Sequence, residues 1–124
     1  MELTQVLTLD GGGLLACRPL PLVPGDGGQV LDILLRFEAV QPERRVAAAV
    51  TLDELDGDGV VYPRGLRIFS LPALRGKETG ALEAPPVRFV LPEELDVSGG
   101  GPRRLTLRVD AHYIDRGERC LLPG

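Results

Sequence analysis

Residues 105–113, Leu-Thr-Leu-Arg-Val-Asp-Ala-His-Tyr, alternate strictly between apolar and polar positions. Successive side chains of a strand leave on opposite faces. The pattern therefore predicts a half-buried strand with Leu105, Leu107, Val109, Ala111 and Tyr113 facing a core and Thr106, Arg108, Asp110 and His112 facing outward. Residues 29–40 show the same period, placing Leu31, Ile33, Leu35, Phe37 and Ala39 on one face. Asp32, Arg36 and Glu38 fall on the other, with Leu34 as an apolar exception. A helical face through Leu31, Leu34, Leu35 and Glu38 competes, but period two accounts for more positions.

Residues 44–55 and 60–71 flank Asp56-Gly57-Asp58-Gly59. Asp-Gly steps reach positive φ at little cost, so this arrangement predicts a β-hairpin. Pro63 and Gly65 interrupt the return strand and mark a bulge. Residues 2–9 form a first extended segment, closed by Asp10 and Gly11–Gly13. Residues 14–22 contain Pro19 and Pro21, which donate no N–H, so this segment belongs at a sheet edge or is merely extended. Loops are expected at 24–28 and 75–80. Val87–Leu91 points Val87, Phe89 and Leu91 inward and Arg88 outward; residues 91–95 suggest a single helical turn, and 98–102 a flexible turn.

Seven or eight short strands without room for crossover helices predict an all-β chain. The expected architecture is one antiparallel β-sandwich domain over residues 1–124, immunoglobulin-like or jelly-roll. The likeness to the immunoglobulin-like class is one of fold alone, since the core Trp and inter-sheet Cys pair of antibody domains are absent. Tyr113 is a candidate corner tyrosine.

With 124 residues the chain is long enough for one hydrophobic core. Sixteen Gly and eleven Pro cut against long helices. Eighteen acids against fourteen bases give a net charge of −4, which opposes binding to nucleic acid through phosphate neutralisation. Every base except Lys77 is Arg and Asn is absent, the signature of a GC-rich coding bias. No basic region followed by an apolar run opens the chain, and no apolar segment has the length of a membrane helix. These features predict no membrane insertion and, by default, a cytoplasmic location.

Candidate chemistry is sparse, and no cofactor is expected. Cys17 and Cys120 are too few for a zinc site. They are either free thiols or a disulfide that ties the chain ends together or joins neighbouring copies. Closing so long a loop is worth about 4–5 kcal/mol in the chain-entropy picture. Glu54, Asp56 and Asp58 begin like a calcium loop, but its twelfth position is Gly65 and its flanks read as strands. They remain weak metal candidates in what reads as a solvated hairpin turn. Asp110 and His112 share a strand face, and a carboxylate can orient an imidazole. The only serines, Ser70 and Ser98, lie outside a Gly-x-Ser-x-Gly elbow.

Glu93, Glu94 and Asp96 resemble paired glycosidase acids, yet adjacent side chains diverge and only five aromatics are present to line a sugar cleft. Gly11–Gly13 and Gly99–Gly101 lack the Lys-Ser/Thr pair and helix of a phosphate loop. Arg44-Arg45 and Arg103-Arg104 open strands as exposed basic pairs, suited to an acidic partner or simply to solvent.

The pattern favours a non-catalytic structural or self-assembling subunit acting through protein–protein contacts. Its expected partner is itself, as a homo-oligomer, or another protein. Leu3–Leu9 or Cys120–Leu122 are expected at the contact, and Arg108, Asp110 and His112 form a candidate contact face. The alternative is an accessory domain that binds another protein or a small ligand through an apolar patch. An enzyme using His112 is the third reading.

Overall fold

The computed structural model describes residues 2–10, 16–21, 30–92 and 103–114. Among these there is no helix, and eight strands follow in chain order. They are β1 (Glu2–Leu9), β2 (Ala16–Pro21), β3 (Val30–Val40), β4 (Val46–Leu55), β5 (Val61–Leu71), β6 (Gly80–Glu83), β7 (Val87–Val90) and β8 (Arg104–Tyr113). One sheet has the order β1-β8-β4-β5; the other has β2-β3-β6, with β7 also on β3.

The last two strands share one edge of β3. β6 pairs with Arg36 and Phe37, and β7 with Val30–Ile33. Between them the Ala84 N–H donates to the Leu35 carbonyl at 3.0 Å. Pro85 and Pro86 then offer no donor, so the ladder breaks there. As expected of a proline-containing segment, β2 occupies a sheet edge, with Pro19 opposite Leu35 and Pro21 opposite Ile33.

Both sheets contribute to one apolar core. Leu31, Ile33, Leu35 and Phe37 from β3, with Val87 and Phe89 from β7, join Val46, Ala48, Val50 and Leu52 from β4 and the inward row of β8. Alternation in β4 and β8 is complete: buried and partly exposed or exposed residues succeed one another along both strands. Each large aliphatic side chain buried this way is worth about 1.5–3 kcal/mol. That makes these two strands and β3 the main apolar contribution to stability.

Two details depart from the sequence pattern. Ala39 is exposed, not inward, and Val40 takes the buried place. The cause is a bulge: Phe37 pairs with Leu82 but Val40 pairs with Gly80, and Ala39 has φ of 55°. One extra residue flips the inside-outside alternation beyond it. The β1–β8 pairing is parallel, whereas every other pairing described is antiparallel. Alternation specifies a strand's faces but carries no information on its direction. Of the expected turn at 91–95, residues 93–95 lie outside the described residues, as do the turn at 98–102 and the loop at 24–28.

The hairpin forms as the Asp-Gly signal predicts. The Asp56 N–H donates to the Val60 carbonyl at 3.0 Å, and Gly59 adopts φ of 84°. The bulge falls at Arg64, because Leu52 pairs with Gly65 and Asp53 with Pro63. Gly65 is required by the packing around it. A Cβ built on it would sit 2.6 Å from the ring of Phe89, so only a glycine lets β5 close over β7.

Candidate functional site

The candidate site residues of β8 lie on the outward face of the four-stranded sheet. Arg108 and His112 are exposed and Asp110 is partly exposed. Register sets their neighbours. Arg108 stands beside Thr51, which stands beside Leu66; Asp110 stands beside Ala49, and Ala49 beside Ile68. On the other side, Val6 and Thr8 of β1 continue the two rows. The surface is thus a low floor of Ala47, Ala49 and Thr51 between a polar border on β8 and an apolar border on β5. Leu66 and Ile68 are 53% and 73% exposed. The period of two in β8 marks the polar border in the sequence, whereas Leu66 and Ile68 follow the break at Pro63 and Gly65, where β5 loses that period.

The opposite sheet's outer face is different. Its charges are paired: Arg88 donates to both Asp32 oxygens at 2.8 and 3.0 Å. Arg36 bridges Glu38 and Glu83 at 3.3 and 3.2 Å. The Arg88 guanidinium holds the Asp32 carboxyl below its ordinary range.

The acidic run at the hairpin divides into two structural roles. Glu54 is buried at 2% exposure and accepts from Arg103 and Arg64. These cations hold its carboxyl well below the ordinary carboxylate range against the opposing effect of burial. Asp56 instead shapes the turn. Its Oδ1 accepts from the backbone N–H of Asp58 at 2.8 Å and Val60 at 2.9 Å, and Tyr62 donates its hydroxyl to Oδ2. The carboxylates that looked like consecutive ligands therefore point to different partners. Among the described residues no three His, Cys, Asp or Glu side chains converge as a metal set.

The two basic pairs also separate. Arg103 is buried and serves Glu54, which corrects its reading as an exposed base. Arg104 is exposed and donates to the Asp56 carbonyl at 2.8 Å. Arg44 lies over the Tyr113 ring, 4.0 Å from its centroid, and donates to Gln41. No sequence motif signals Glu54 with Arg103: the two are far apart in the chain and meet only because β4 pairs with β8.

Tyr113 does anchor backbone, though across the fold and not a few residues upstream. Its hydroxyl accepts from the Gln41 N–H at 2.9 Å and donates to the Ala39 carbonyl at 3.4 Å. Cys17 is a half-buried free thiol, and burial pushes its pKa up to about 11. Cys120, Glu93, Glu94, Asp96, Ser98, Gly11–Gly13 and Gly99–Gly101 lie outside the described residues.

A shallow groove of about 220 Å³ lies where Ile68 and Phe69 of β5 approach Pro85 and Pro86. It is smaller than the roughly 300–1,000 Å³ of ordinary small-molecule sites. No helix among the described residues is long and apolar enough to cross a membrane.

No curated protein and no solved structure is similar enough to match the chain. One family model does match, described as CsxB, exosporium protein B, and it covers residues 23–120. That span holds all of β3 to β8, including the Glu54–Arg103 pair and the outward rows of β4, β5 and β8. Covering well over half of the sequence, the match shows that the chain belongs to the exosporium protein B family.

Proposed function

We propose that the chain is a non-catalytic structural subunit of the exosporium, the outer layer of a bacterial spore, and that it works by self-assembly through protein–protein contacts. The single observation that carries this reading is its membership of the exosporium protein B family. Its physical character supports the same reading. Two sheets sharing one core fit a β-sandwich. In chain order the sheets alternate after β1, β3, β5 and β7. In the immunoglobulin order the last two strands are neighbours in one sheet, whereas β7 and β8 lie in different sheets here. The parallel pairing of β1 with β8 departs in turn from the all-antiparallel jelly roll.

The spore's outer layer replaces the cytoplasm as the expected location. Immunogold labelling of whole spores and of stripped exosporium should place the chain in that layer. Sedimentation of the purified protein should show association that rises with concentration. Labelling confined to the cell interior, or a monomer up to millimolar concentration in both reducing and oxidising buffer, would overturn the reading. An accessory ligand-binding domain is less well supported: the groove beside Pro85 and Pro86 is smaller than an ordinary ligand site, and the larger depression of about 520 Å³ along residues 74–80 is open and lined by a single stretch of chain.

A further inference from the structure

We infer that the outward face of the β1-β8-β4-β5 sheet is a two-fold interface on which a second copy of this chain docks face to face. The inference rests on the self-assembly reading and names the surface it uses.

Register makes this face complementary to itself. Two adjacent rows cross the sheet: Val6, Arg108, Thr51 and Leu66 in one, Thr8, Asp110, Ala49 and Ile68 in the next. A two-fold axis lying in the interface, perpendicular to the strands and between these rows, sets each strand against its own copy in the reverse direction. Arg108 then meets the second copy's Asp110, and Asp110 meets its Arg108. The same operation sets Leu66 against Ile68, and Thr51 against Ala49. One placement thus satisfies the ion pairs at one border, the apolar contact at the other, and the small residues between them. An isologous interface requires this reciprocity. Aligned packing of twisted sheets, with strands within about 30° of one another, accommodates it.

The two outer faces of the molecule differ in the way this predicts. On the β2-β3 sheet, Asp32, Glu38 and Glu83 have their arginines. Arg108 and Asp110 have no ion-pair partner among the described residues, although they share a strand face. Leu66 and Ile68 remain exposed in the same two rows, across β4 from them. Four strands about 4.8 Å apart and ten residues at about 3.4 Å give a footprint of roughly 650 Å² per copy. Two copies together reach the roughly 1,200–2,000 Å² of stable protein interfaces.

Charge exchange tests the placement. Arg108→Asp sets four carboxylates together at the interface, and Asp110→Arg sets four guanidinium groups together. Sedimentation velocity at low salt should show each variant dissociating at concentrations at least tenfold above the wild type. An equimolar mixture of the two should associate again, because each position then faces its opposite charge. The double variant Arg108→Asp/Asp110→Arg should also self-associate. Circular dichroism checks that each variant folds; should one fail, Ile68→Lys reads the same face at a position already exposed. Wild-type association that none of these substitutions weakens would overturn this face while leaving self-assembly standing. A wild type that stays monomeric alone, or binds only a different protein, would overturn both.

Discussion

Arg103 holds Glu54 through two near-parallel hydrogen bonds, Nε to Oε2 at 2.7 Å and Nη2 to Oε1 at 2.6 Å. A third donor, Arg64 Nε, reaches Oε1 at 2.8 Å. Arg103 also donates from Nη1 to the Pro92 carbonyl at 2.9 Å, so one side chain joins β4, β8 and the chain beyond β7. The cluster closes the end of the core at which the apolar rows of β4 and β8 stop.

Removing one partner of a buried pair strands the other, at a cost of about 3–5 kcal/mol. Arg103→Met leaves Glu54 with Arg64 alone and should lower the urea midpoint by the lower part of that range, while Glu54→Gln, which weakens both pairs, should lower it by at least as much. The pH dependence has a definite sign. Glu54 is depressed in the folded state, so its contribution is present above the ordinary carboxylate value and is lost as pH falls through the folded value. Acid titration of Glu54→Gln should show a shallower loss of stability in that range. An unchanged acid limb would contradict the assignment.

Gly65 faces the fully buried Phe89 ring, and an added Cβ would stand 2.6 Å from Cδ1 and 2.9 Å from Cε1. The ring is packed on its other sides, so it has little freedom to yield. Gly65→Ala should destabilise by about 1–3 kcal/mol, the usual cost of overpacking. Phe89→Leu in the same chain should recover part of that loss, which a double-mutant cycle in urea would measure as coupling. Additive losses would mean that the two positions do not meet.

Much of the fold was legible because alternation records burial directly. Leu105 to Tyr113 needed only a period of two, and Asp56-Gly57 with Gly59 announced the hairpin. Direction and register were harder to see. The parallel pairing of β1 with β8 leaves no trace in either strand's pattern. At Ala39 a single bulge reversed the faces, and alanine gave no warning of a positive φ. The site was legible in halves: Arg108, Asp110 and His112 stood out as a polar row, while their juxtaposition with Leu66 and Ile68 exists only through β4. Arg103 was misplaced because a basic dipeptide looks solvated until its acid is found across the sheet.

Tyr113 fixes the β3–β4 connection from the end of β8. Its hydroxyl accepts from the Gln41 N–H and donates to the Ala39 carbonyl, next to the bulge. Tyr113→Phe keeps the ring under the Arg44 guanidinium and removes only the oxygen. A lost hydrogen bond of this kind costs about 0.5–1.5 kcal/mol, more where the donor stays buried. The variant should unfold at correspondingly lower urea, with the Gln41 amide exchanging faster than in the wild type. Unchanged protection at Gln41 would show that the hydroxyl is not its partner.

Cys17 sits opposite Phe37 on the edge strand β2 and packs against the core. Its environment bears on whether copies of the chain are joined covalently through this thiol. Burial holds its pKa at about 11, so at pH 8 only about one thiol in a thousand is ionised. Disulfide exchange proceeds through the thiolate, which makes folded Cys17 a slow partner. In a Cys120→Ala background, where Cys17 is the sole thiol, iodoacetamide should label the folded protein far more slowly than the urea-unfolded chain. The folded rate should rise about tenfold per pH unit between pH 8 and 10, while the unfolded rate levels off near the ordinary thiol pKa of about 8.5. Equal rates in the two states would show that β2 leaves the thiol open to solvent and competent for cross-linking.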